Sequence, residues 1–169
     1  MNSVLLAGCA LIATMTTASA FGASTAAVSA DEAGIRVVLD KFQKALKDKK
    51  ESDIVALFTS PSSPLTASAS EKAFQFVRST KKADAPKIME STSAKFAAAI
   101  VKDKESTEET FSNIHIDSDG AVAAVSFDFV FLGGGEPKNV GKEAWLMVKT
   151  EQGWRISSIA YSINFPEKG

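Results

Sequence analysis

The sequence has few of the residues that most often carry chemistry. Its 169 residues include one cysteine (Cys9), one histidine (His115) and one tyrosine (Tyr161). Cys9 sits in an apolar leader, so without that leader the chain has no disulfide and no thiolate metal site. A lone histidine excludes a histidine cluster, and no metal or cofactor motif is found. Gly133–Gly135 is a turn and not a phosphate loop, because neither a helix nor a Lys-Ser/Thr pair follows it. The net charge of -1 lacks the basic excess that a nucleic-acid surface needs. No apolar run is long enough to cross a bilayer as a helix; Val4 to Met15 falls short.

Charge is also missing from the start of the chain, where the first charged side chain is Asp31. The apolar stretch is followed by Ala18-Ser19-Ala20 and later by Val28-Ser29-Ala30, both with small residues where a signal peptidase cuts. The expectation is a signal peptide over 1–20, with cleavage as late as 30, then a disordered leader over 21–30 and one domain over 31–166. The protein is then exported, periplasmic or secreted. A competing reading takes Leu6-Ala7-Gly8-Cys9 as a lipobox, which makes Cys9 a lipid anchor, although only eight residues precede it.

From Asp31 the pattern is helical. Ser29 and Glu32 have capping-box spacing, and Ile35, Val38, Leu39, Phe42 and Leu46 form one apolar face. A helix over 31–48 follows, then a short one from Ser52 to Phe58, with Ser52 as its cap. Between 65 and 90 two readings compete. Phe74, Phe76 and Arg78 alternate as in a short strand returning over Pro86 to Glu90, whereas a helix over 71–79 is the rival. Ser91, Thr92 and Ser93 offer a cap for a third helix carrying Phe96, Ala99 and Ile100.

From Thr107 the period becomes two. Asp117-Ser118-Asp119-Gly120 is a hairpin turn, and Ala121 to Leu132 a long strand with Phe127, Phe129 and Phe131 on one face. Val140 to Thr150 returns, with Trp145 and Met147 on one side, and Trp154 to Phe165 is the last strand. Helices first and an antiparallel meander after them predict an α+β domain with helices on one face of the sheet.

Ala121 to Val125 with Phe127-Asp128-Phe129, then Trp145 to Lys149, then Gly153-Trp154-Arg155-Ile156, resemble the final strands of the nuclear transport factor 2-like (SnoaL-like) superfamily. The first helix and Ile54 to Phe58 resemble its start. Within the superfamily the chain is most similar to the lumazine-binding branch. The resemblance implies a cone-shaped pocket between a strongly curved, mostly antiparallel sheet and about three helices on its concave face. It also implies a small apolar or aromatic ligand and a homodimer.

The resemblance does not carry over a catalytic set. Ketosteroid isomerases of this fold place a tyrosine on the first helix and a carboxylate base on the first strand. Here helix 31–48 has no tyrosine, and Pro64 to Ser70 has no acid. The lumazine-binding branch carries His-Cys-Gly where this chain has Asn139-Val140-Gly141. His115 lies beside a polar turn and reads as a rim residue. Asp128 alternates away from the phenylalanine face; inside the cone its pKa would rise, and outside it is a solvated strand residue. Glu143 and Tyr161 are similar weak candidates for acid–base work. Phe42, Phe58, Phe127, Phe129, Trp145 and Tyr161 are the candidate pocket residues, although a core needs such aromatics anyway. The first reading is therefore an exported binding or accessory module with an apolar pocket. A lyase or isomerase acting on a small hydrophobic carbonyl compound is the second, and an interaction domain using the sheet face is the third.

Overall fold

The computed structural model describes residues 22–166. The signal-peptide and lipid-anchor expectations, Cys9 included, lie outside the described residues. Four helices and six strands follow one another: α1 (Gly22–Asp48), α2 (Glu51–Val55), β1 (Pro64–Ala69), α3 (Glu71–Thr80), β2 (Ile88–Thr92), α4 (Ser93–Lys102), β3 (Thr107–Ser118), β4 (Val122–Gly133), β5 (Glu136–Thr150) and β6 (Gly153–Ile163). They build one sheet in the order β2-β1-β6-β5-β4-β3. Only the β1–β6 pair is parallel; the other four neighbours are antiparallel. The α+β architecture expected from the sequence is present.

Helix α1 lies across the sheet because its apolar stripe matches the sheet's inner face. Ile35, Leu39, Phe42 and Leu46 are buried in the same cluster as Phe127, Trp145, Met147 and Ile156. Phe42 is the hub: its ring stacks on Phe96 of α4 at 6.0 Å and meets Trp145 of β5 edge-on at 5.0 Å. Polar clamps fix the helix along β3. Gln43 Nε2 donates to the Glu109 carbonyl at 2.8 Å, and Thr107 Oγ1 donates to the Leu46 carbonyl at 2.9 Å. At the other end of the sheet Lys149 Nζ donates to the buried Asp31 carboxylate at 2.6 Å.

Several local expectations are corrected. The helix is assigned from Gly22, so Ser29 and Glu32 lie within it and not at its start; alanine-rich chain readily extends a helix. The alternation of Phe74, Phe76 and Arg78 is not a strand. Ser70 Oγ accepts from Ala73 N at 3.3 Å and starts α3, whose turns bring Arg78 over the Phe74 ring. The alternating aromatics instead meet different partners, since Phe76 packs edge-on with Phe165 at 5.4 Å. Strand β1 precedes α3, and the returning strand is β2, two residues later than expected. Helix α2 is capped at Lys50 without a side-chain bond and ends before Phe58, which bridges to Ile156. Thr92 caps α4 by accepting from Lys95 N.

Two bulges decide which side chains enter the cone. On β3 the register slips between Ser112 and His115, so Phe111 and Ile114 both pack on the core. On β6 it slips opposite Leu146/Met147. Inward residues there change from Trp154 and Ile156 to Ile159 and Tyr161. A third device closes the far end of β5. Asn164 N donates to Asn139 Oδ1 at 2.8 Å, Asn164 Nδ2 to the Val140 carbonyl at 3.0 Å, and Lys142 N to Ser162 Oγ at 3.0 Å. Side chains here replace ladder bonds, and a Cβ on Gly141 would stand 2.1 Å from Ser162 Oγ. Replacing Gly141 by alanine is therefore expected to lower stability by about 1–3 kcal/mol, as overpacking does. Urea unfolding measures it, and an unchanged midpoint would contradict the close approach.

Candidate active site

A cavity of about 230 Å³ opens between α1, α4 and the inner face of the sheet. That is below the roughly 300–1,000 Å³ of sites for drug-sized ligands, so its occupant is small. Aromatic rings form the largest group in the wall: Phe42 from α1, Phe96 from α4, Phe129 and Phe131 from β4, and Tyr161 from β6. Leu65, Ile159 and Ile163 add aliphatic surface, and Asn139, Glu109 and Glu143 are the polar members.

The two glutamates come from different strands. Glu143 on β5 stands opposite Phe127 on β4 and Tyr161 on β6. Glu109 on β3 stands opposite Phe131. The curvature of the sheet turns both inward, and they share a hydrogen bond. Both side chains are buried, at 8% and 6% exposure, where a carboxylate without a cation is costly. Trp145 Nε1 donates to Glu143 Oε1 at 2.7 Å.

Their electrostatics follow from this packing. Burial pushes the Glu143 carboxyl up from 4.5 to about 7, while hydrogen bonds from Trp145 and Glu109 hold it back. Glu109 is raised well above the ordinary carboxyl range, first by burial, then by the neighbouring Glu143 charge and by the hydrogen bond to it. The bond favours the proton on Glu109 and the charge on Glu143. As pH rises through about 7 the pair passes from two protons to one, with the remaining proton on Glu109, and its titration belongs to the pair as a whole. Tyr161 is also raised, by burial and then by the charges of Glu143 and Glu109, so its phenol stays protonated. An acid, a base and a phenol donor thus face one small apolar space.

The structure sorts the sequence candidates. Glu143 and Tyr161 line the cavity, as do Phe42 and Phe129. Phe58, Phe127 and Trp145 belong to the packed core behind it and do not line it. Asp128 points away from the cone. Its carboxylate accepts from Asn113 Nδ2 at 2.6 Å and pairs with Lys142 Nζ at 2.5 Å. These bonds, Asn113 first, hold its pKa below the usual range, the opposite of a catalytic acid. His115 is exposed on β3 opposite Ser126, outside the cavity. Asn139 does line the cavity, yet its Oδ1 accepts from Asn164 and its Nδ2 donates to Ser162, so it is committed to the fold.

Glu109 is the residue that sequence reasoning missed. A signal was present, because Thr107, Glu109 and Phe111 share one strand face and Thr107 and Phe111 suit the inside. The bulge that follows breaks the alternation and hides this.

No family model and no curated protein matches the sequence. Solved structures do match. A protein of Novosphingobium aromaticivorans provisionally named a scytalone dehydratase superimposes with a TM-score of 0.62 at 14% identity, over 83% of this chain and 89% of the other. A nuclear transport factor 2-like protein with a cystatin-like fold from the same organism gives 0.61 at 12%, over 83% and 86%. A protein of Streptomyces avermitilis from the nuclear transport factor 2-like family, provisionally named a dehydratase, gives 0.58 at 12%, over 82% and 99%.

The shared proton makes a prediction about stability. A carboxyl whose folded pKa is raised binds more proton in the folded chain than in the unfolded one. Stability then falls as pH rises, from the unfolded value near 4.5 through about 7, by up to about 1.4 kcal/mol per pH unit for each proton. Thermal unfolding at a series of pH values is expected to show this decline in the wild type and its flattening in the E109Q/E143Q double variant. Equal slopes in the two proteins would contradict the buried pair. At such identities the structural likeness establishes architecture, and the chain has the nuclear transport factor 2-like, cystatin-like fold.

Proposed function

We propose that the cone is a small-molecule site that moves protons on a small, mostly apolar carbonyl compound, as an isomerase or lyase does. One observation carries the reading: two buried carboxyls lie together at an aromatic cavity that Tyr161 also lines. Burying two acids together is costly, and proton transfer needs a base and an acid of matched strength. The Glu143 carboxylate, held by Trp145 Nε1, is the base that removes a proton next to the carbonyl. Glu109 and Tyr161 are the donors to the oxygen that gains charge, or to a hydroxyl that leaves. The provisional dehydratase names of two structural neighbours agree with this class.

The wider setting is a proposal of the same kind. The apolar leader supports an exported, periplasmic or secreted protein. The exposed Val122 and Leu146 on the outer sheet face support a homodimer through that face. Assignment to the lumazine-binding branch rests on sequence likeness, and Asn139 stands where that branch has its histidine.

The test needs no knowledge of the natural substrate. Cyclic aryl ketones such as 1-indanone exchange their α-hydrogens slowly in heavy water, and proton NMR follows the loss. The wild type is expected to accelerate exchange, and E143Q to lose about 100-fold or more of that acceleration, in the range of general-base contributions. Absence of acceleration across a panel of such ketones, or an unaffected E143Q, would count against proton transfer.

A further inference from the structure

We infer that the glutamate pair makes this pocket a charge filter, taking uncharged and singly cationic aromatic compounds and turning away carboxylates and phosphates. The inference rests on the proposed function for the site but concerns what enters it. The cavity is lined by two acids and one phenol, with no lysine, arginine or histidine among its lining residues. Lys142, beside Glu143 in sequence, points outward to Asp128.

Backbone and side-chain donors do not repair this deficit. Helix α4 presents its first turn near the cavity, where a free helix end would attract an anion. Its amides are already used: Ser93 N donates to the Ser63 carbonyl, Ala94 N to the Pro61 carbonyl and Lys95 N to Thr92 Oγ1. Trp145 Nε1 is spent on Glu143. An entering carboxylate would lose its water and face a carboxylate of like sign.

A cation meets the reverse situation. The shared proton leaves a single negative charge on the pair, so one ammonium group neutralises the site. Phe42, Phe96, Phe129 and Phe131 supply ring faces that attract it. A neutral alcohol or ketone brings no charge to desolvate, and its oxygen can accept a hydrogen bond from the Tyr161 hydroxyl in the cavity wall. Such selection suits a site whose reaction passes through a developing oxyanion. The starting compound must be uncharged for the acid donors to stabilise the charge only when it forms.

Three probes of one shape test the inference: benzylammonium, benzyl alcohol and benzoate, titrated into the full chain by calorimetry at about pH 8, above the Glu143 midpoint of about 7. Benzylammonium is expected to bind at least about tenfold more tightly than benzoate, with benzyl alcohol between them. The preference is expected to shrink to within about threefold in E109Q/E143Q, which keeps the shape and removes the charge. A second measurement does not depend on the variant folding. In the wild type the preference is expected to narrow at about pH 5.5, well below the midpoint of about 7 at which Glu143 takes the pair's second proton. Tyr161, the other titrating group facing the pair, stays neutral throughout. Benzoate binding as tightly as benzylammonium overturns the filter. So does binding of benzyl alcohol with both ions equally weak, which leaves the proton-transfer reading standing. Failure of all three to bind overturns the filter and the small-molecule site together.

Discussion

The hydrogen bond between Glu109 and Glu143 sets the terms for the rest of the molecule. Two carboxyls buried beside aromatic rings cannot both carry charge, and the cheapest arrangement keeps one proton between them. That arrangement needs strands β3, β4 and β5 curved tightly enough for side chains two strands apart to meet. Phe42 and Phe96 from two helices complete the cavity wall over them. Trp145 then takes a double role, as the buried centre of the core and as the donor that steadies the remaining charge.

Core and site are continuous in this design. Phe42 packs on Trp145 and also lines the cavity. Gln43, the next residue, bonds the backbone of Glu109. A shift of α1 along the sheet would change the cavity wall and the pair's position together. The clasp of Asn139, Ser162 and Asn164 does the same at the open end, where it holds β5 beside β6 past the last regular ladder pair. The apolar interior is what raises the carboxyl pKa values, so stability is given up locally to hold two acids in the cavity wall.

Much of this was legible in the sequence. Helical spacing from Ile35 to Leu46 marked the packing face of α1, and two-residue spacing marked the meander with Phe127, Phe129, Trp145 and Met147 inward. Glu143 and Tyr161 were visible as polar residues on inward positions of strands. Illegible features share one cause, a local event that breaks a period. The β3 bulge hid the inward side of Glu109. The Ser70 cap turned an apparent Phe74–Phe76 strand into a helix. Asp128 shows the converse, since undisturbed alternation placed it correctly outside. That two acids on separate strands meet is a consequence of sheet curvature, which no single-strand pattern contains.

The protonation of the pair is the quantity on which everything above turns. Glutamate labelled with carbon-13 at the side-chain carboxyl allows each group to be titrated by NMR, with E109Q and E143Q giving the assignments. The account predicts two resonances titrating together, one with its midpoint near 7 and the other also raised, well clear of the ordinary glutamate value of about 4.3. Two independent titrations in the ordinary carboxyl range would mean that the groups are solvated and apart, and the site described here would not exist.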